Sequence, residues 1–116
     1  MARQSYTAQA LVRSGNGLTG TERDGHADGH SVVNDGHVIA VIRNTGAGSH
    51  TTTIQTPGTI DGLAVADLTV AVAAGATKYV GPFPKGVYNQ ADGAIYVDFD
   101  GTVAEVKVTY INVPIA

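Results

Sequence analysis

Asp-Gly-His occurs three times towards the N-terminal end of the chain, as Asp24-Gly25-His26, Asp28-Gly29-His30 and Asp35-Gly36-His37. Imidazole and carboxylate are ligands for zinc and other transition metals, so this pattern invites a chemical reading before any other. An extended backbone over residues 24–30 sets Asp24, His26, Asp28 and His30 on one face, and a helical one stacks His26 and His30 at i and i+4. Gly25 and Gly29 oppose regular structure of either kind, and a loop by itself does not fix ligand geometry. Asx-Gly turns carrying solvated histidines are the stronger reading, and no metal or other cofactor is expected. His50 stands apart in sequence and adds little to a ligand set.

The remaining candidates for chemistry are thinner. Asp98 and Asp100 before Gly101 look like a fragment of a calcium loop, but the later ligands and the closing Glu of an EF-hand are missing. A β-turn explains them better, and pairing them with Glu105 as an acid–base site lacks a second supporting feature. The serines Ser5, Ser14, Ser31 and Ser49 sit in no nucleophile-elbow context. Gly15-Asn16-Gly17 is not followed by the Gly-Lys-Ser/Thr of a phosphate loop. Five tyrosines are available as a sugar platform. There is no Trp, however, and Tyr79, Tyr96 and Tyr110 lie inside strand-like runs, so packing is the better default. No catalytic residues are assigned, and the chain is not expected to be an enzyme.

The elements that would carry these residues are β-strands. With 116 residues and 43% hydrophobic content, the chain fits one domain with a core of its own. It has no cysteine, so neither a disulfide framework nor a thiolate metal site can form. A net charge of −3 with seven scattered basic residues disfavours a nucleic-acid partner, which needs a basic patch. No apolar run approaches the ~20 residues that span a membrane, and the N-terminal stretch reads as no secretion signal.

Residues 1–31 form the least regular part. Gln9 to Arg13 is a candidate short strand, and Ser14 to Gly29 is rich in Gly and Asx, so this region reads as an irregular N-terminal arm. His37 to Arg43 is apolar at both parities, as expected of a strand covered on both sides or lying under an arm. Ser49 to Gln55 is its return strand. Leu68 to Val72 alternates, with Leu68, Val70 and Val72 on one face. Thr77 to Phe83 follows, stopped by Pro82 and Pro84. Val87 to Gln90 reads as a short edge strand, and Leu63 to Leu68 as at most one helical turn. Asp92-Gly93 is a hairpin signal before Ala94 to Phe99. Ala104 to Tyr110 points Val106, Val108 and Tyr110 inward. About seven or eight short strands at turn spacings of roughly 8–12 residues predict an all-β fold, a compact antiparallel sandwich or barrel over residues 32–116.

Certain details resemble a known group. They are the Asp61-Gly62 to Asp67 connection, Leu-Thr-Val-x-Val at 68–72 and Gly81-Pro82-Phe83-Pro84 with Gly86-Val87-Tyr88. Gly93-Ala94-Ile95-Tyr96-Val97-Asp98 and the upstream hairpin from Gly36-His37-Val38 to Arg43-Asn44-Thr45-Gly46 complete the pattern. Over residues 32–110 this texture resembles small β-rich proteins encoded among the head genes of tailed bacteriophages, notably those of actinobacteria. The resemblance implies a capsid decoration, or cement, protein. Such a protein is made in the host cytoplasm, sits on the capsid exterior of the virion and binds the major capsid protein, often as a trimer. It holds capsomers together by multivalent binding without a reaction. Residues 1–31 are then the expected capsid contact. Another virion structural role (head completion or tail tube) and a carbohydrate-binding adhesive sandwich are the alternatives.

Overall fold

The computed structural model describes residues 3–14, 22–57, 59–64 and 66–113. In chain order the strands are β1 (Gln4–Thr7), β2 (Gln9–Ala10), β3 (Arg23–Asp24), β4 (His30–Val33), β5 (Val38–Asn44) and β6 (His50–Ile54). Then come β7 (Thr59–Ile60), β8 (Leu63–Ala64), β9 (Leu68–Val72), β10 (Thr77–Val80), β11 (Ala94–Phe99) and β12 (Val106–Asn112). A helical turn α1 (Lys85–Tyr88) and a 3-10 turn (Val103–Glu105) interrupt them.

These strands build an all-β sandwich. One sheet runs β1-β4-β11-β6-β9; the other runs β10-β5-β12, with β2 and β3 side by side along the far edge of β12. Strands β6 and β9, β5 and β10, and β4 and β11 pair antiparallel as nested shells around the small β7–β8 hairpin. This is the pairing of a long hairpin rolled up on itself, as in jelly-roll sandwiches. Because β4 to β5, β5 to β6, β9 to β10 and β11 to β12 each change sheet, successive strands contribute to opposite walls of one core.

Alternation decides what enters that core. Val38, Ala40 and Ile42 of β5 point inward with Val106, Val108 and Tyr110 of β12, all 4% exposed or less. Val32, Ile95 and Val97 meet them from the opposite sheet. Burying each such aliphatic side chain contributes roughly 1.5–3 kcal/mol. The double-parity apolar run of β5 follows from its central place between β10 and β12. Val41, on its outward parity, is still only 3% exposed.

Three local expectations change. Thr77 to Phe83 is strand only as far as Val80, since the chain then turns through the cis Gly81-Pro82 peptide. Phe83 nevertheless lies in the core, 1% exposed, as a loop residue. Val87 to Gln90 is not an edge strand, because Lys85–Tyr88 form a helical turn. Pro84, at φ −59°, caps its start, and its carbonyl accepts from Val87 and Tyr88 N–H at 3.2 and 3.1 Å. The turn sets the Tyr88 ring edge-on to Phe83, with centroids 5.4 Å apart. Residues 63–64 pair as strand β8 rather than opening a helical turn.

The boundary expected between residues 31 and 32 falls inside β4, and the stretch before it is stitched into both sheets. Strand β1 pairs parallel with β4, β2 pairs parallel with the end of β12, and β3 pairs antiparallel with its beginning. The chain changes sheet at Ala8, so the N-terminal segment closes one open side of the sandwich, as the β9–β10 turn closes the other.

Buried Asn34, paired with the half-buried Asn89, fixes the loop that carries Phe83. The Asn34 amide donates to the Phe83 carbonyl at 2.8 Å and to Asn89 Oδ1 at 2.7 Å, while Asn89 Nδ2 donates to the Asn34 carbonyl at 2.9 Å. Asn34 is 3% exposed, so Asn34→Ala strands the Phe83 carbonyl away from water. The expected loss is about 2–3 kcal/mol in a denaturant titration with an unchanged m-value.

Candidate functional site

The three Asp-Gly-His tracts have three different fates. His30 lies at the start of β4 and is fully buried. Its Nδ1 accepts from the Tyr110 hydroxyl at 2.6 Å, and its Nε2–H donates to the Asp24 carbonyl at 2.8 Å. The ring is held edge-on between Tyr6 and Phe99, at centroid distances of 4.7 and 4.6 Å. Burial drives its pKa down to about 4 and raises that of Tyr110 well above its usual value. A neutral imidazole and a protonated phenol therefore form a one-way chain from Tyr110 through His30 to the Asp24 backbone. Both ring nitrogens are used, so His30 cannot bind a metal without giving up a buried hydrogen bond.

The other candidate ligands point elsewhere. Asp24 sends its carboxylate to Lys107 Nζ at 2.6 Å. His26 Nδ1 accepts from the backbone N–H of Asp28 at 3.1 Å, with the Asp28 carboxylate 3.9 Å away. The third tract is an Asx turn, in which Asp35 Oδ1 accepts from His37 N–H at 3.0 Å and Oδ2 accepts from Asn112 at 2.9 Å. Among the described residues no cluster of three His, Asp or Glu side chains converges as a metal cage.

The glycines of these tracts are needed for close approach. A Cβ on Gly25 would stand 2.6 Å from the Val103 carbonyl oxygen. Gly29 has φ +79°, and a Cβ there would stand 2.6 Å from Asp98 Oδ1 and 2.7 Å from the Val97 carbonyl oxygen. The glycines that oppose regular structure in the sequence thus let this segment lie against the end of β11 and the 3-10 turn.

The carboxylates near Gly101 are structural anchors. Asp98 Oδ1 receives Arg3 Nη1 at 2.6 Å and Oδ2 receives the Gln55 amide at 2.7 Å, while the Arg3 guanidinium lies 4.4 Å over the Tyr96 ring. Arg3 thereby pins the start of β1 to β11. Asp100 and Glu105 take opposite sides of His50, with Asp100 Oδ1 3.1 Å from Nδ1 and Glu105 Oε1 2.8 Å from Nε2. His50 stands apart from the Asp-Gly-His tracts in sequence, and its partners here lie 50 and 55 residues further on, beyond the reach of any local pattern. Glu105, then Asp100, raise its pKa, and the ring held between them clamps the β11–β12 connection onto β6. Its carboxylates sit on opposite ring nitrogens, which is the geometry of a clamp and not of a metal site.

The tyrosines do not converge on one face. Tyr6 and Tyr110 frame His30, Tyr88 packs on Phe83, and Tyr96 donates to Asp92 at 2.9 Å. Tyr79 on edge strand β10 is 75% exposed, and Leu63 in β8 is 73% exposed. Gly36, His37, Ile39, Pro82 and Val113 line an apolar hollow of about 200 Å³. No protein-family model, curated protein or solved structure matches this chain.

Proposed function

We propose that the chain is a capsid decoration protein of a tailed bacteriophage, acting by binding alone. In this reading it sits on the outside of the assembled head, contacts the major capsid protein and associates as a trimer across capsomer junctions. The resemblance over residues 32–110 supports it. The observation that carries the reading is the use made of the polar side chains. His30, His50, Asp98, Asp100 and Glu105 each hold one part of the sandwich to another. Large apolar groups such as Leu63 and Tyr79, by contrast, are held out in solvent on strands. A rigid scaffold presenting apolar anchors suits a contact surface repeated many times over a particle. Within residues 1–31, the contact falls on Leu11, Val12 and Arg13, exposed just beyond β2.

The test is the protein content of purified virions from the phage that encodes the chain. The expected result is a copy number locked to that of the capsid subunit, saturable rebinding to stripped heads, and rebinding weakened at least tenfold by Leu11→Asp with an unchanged melting curve. Absence from virions, or heads that fail to take up the purified chain, overturns the proposal.

A further inference from the structure

Strand β3 alternates acid, base, acid with the residue before it: Glu22, Arg23, Asp24. The two acids face other cations. Glu22 takes Arg43 in a two-pronged pair at 2.7 and 2.9 Å, and Asp24 takes Lys107 at 2.6 Å. Arg23 points to the opposite side, where its guanidinium lies 5.1 Å over the Tyr6 ring. There it lines a cleft of about 60 Å³ with Tyr6, Thr7, Gln9 and Tyr110, at the point where the chain crosses between the sheets. Among the described residues nothing forms an ion pair or hydrogen bond with this guanidinium. A second wall group is also unsatisfied, since Gln9 Nε2 is buried without a hydrogen-bond partner.

A solvent-exposed cation unpaired among the described residues, beside a buried amide donor without an acceptor there, defines what fits. The Gln9 amide alone serves either polarity, but Arg23 fixes the sign of the ligand as negative. A guanidinium fork matches a planar two-oxygen anion best. The cleft volume admits a group of a few heavy atoms, and Tyr6 and Tyr110 in its wall offer apolar surface for the carbon behind a carboxylate. We propose that this crossover cleft is a carboxylate-binding site, with Arg23 as the charge partner and the Gln9 amide as a second donor. The carboxylate belongs either to a free small acid or to an acidic side chain of a partner polypeptide. The site does not depend on the decoration reading.

The test is a side-chain and backbone NMR titration of the full chain at constant ionic strength. Acetate represents the free acid, and a blocked Gly-Asp-Gly peptide represents the side-chain carboxylate. Saturable shifts of the Arg23 Nε–H and Gln9 amide signals in the millimolar range support the site. Tighter binding of the peptide assigns it to a polypeptide partner, and tighter binding of acetate to a free acid. Arg23→Gln and Gln9→Leu are expected to weaken binding at least tenfold and threefold, while Lys78→Gln, on β10 at the opposite edge of that sheet from β2, changes nothing. Both altered chains are checked for a native spectrum, and the Gln9→Leu result stands alone if Arg23→Gln perturbs the fold. Shifts that stay linear in ligand, or persist unchanged without Arg23, overturn the proposal.

Discussion

A chain lacking residues 1–31 is expected to lose its cooperative unfolding transition. The deletion removes β1 from the edge of β4, and β2 and β3 from the edge of β12. It takes away the Arg3–Asp98, Glu22–Arg43 and Asp24–Lys107 pairs. Each of these partly exposed pairs is worth about 1 kcal/mol or less, so they alone are not decisive. The decisive loss is His30, which is fully buried and contacts Tyr6, Phe99 and Tyr110. Because Tyr6 goes with it, the Phe99 and Tyr110 rings that His30 packs against are opened to water and the Tyr110 hydroxyl loses its acceptor. Losing this buried side chain and its packing costs about 3–5 kcal/mol. With two unpaired edges added, that consumes most of the roughly 5–15 kcal/mol by which a domain is stable. Near-ultraviolet circular dichroism and a thermal melt check the outcome. A truncated chain that melts cooperatively within a few degrees of the full chain refutes it. For the proposed function the consequence is direct: loss of capsid binding on truncation would report unfolding, which is why single substitutions at residues 11–13 are the sharper probe.

Stability is expected to climb steeply from pH 4 to about 6.5, and His30 is the cause. Its folded pKa is about 4, against 6.5 for an unperturbed histidine. Between those values the unfolded chain holds a proton that the folded chain excludes. Raising the pH therefore favours folding, and the contribution is complete above about 6.5 and lost as pH falls through about 4. A separation of this size amounts to roughly 3 kcal/mol. His50 acts with the opposite sign. Glu105 and Asp100 raise its folded pKa, so its contribution is present below 6.5 and lost as pH rises through the folded value. Its carboxylates are largely solvated, which keeps that limb shallow. Denaturant midpoints across this range should thus rise steeply, then fall gently. His30→Gln is expected to lower stability throughout and erase the steep acid limb, while His50→Gln leaves that limb and flattens the gentle one. An acid limb that survives in His30→Gln overturns the assignment.

Much of the architecture was legible before any coordinate. Leu68–Val72 and Ala94–Phe99 are strands with the bounds their alternation predicts. Val106, Val108 and Tyr110 point into the core as their parity requires. The elements without a signal in the sequence are short or depend on a neighbour. Strand β2 takes up the first two residues of the candidate strand Gln9 to Arg13, whereas the two residues of β3 carry no periodicity to read and pair because β12 offers an edge. The turn at Lys85–Tyr88 follows from Pro84 and from the packing of Tyr88 on Phe83, and a four-residue window shows neither.

The sequence by itself determined the in-and-out parity of each long strand, the places where the chain must turn and the lack of any thiol chemistry. These properties depend on each residue's immediate neighbours along the chain. The tertiary structure alone decided which strands lie side by side and what every polar group does. His30 meets Tyr110 across 80 residues, and Arg3 meets Asp98 across 95. Alternation states which face of a strand is buried but not what faces it. The same Asp-Gly-His triplet therefore becomes a half-exposed loop at 26, a buried relay at 30 and an Asx turn at 37.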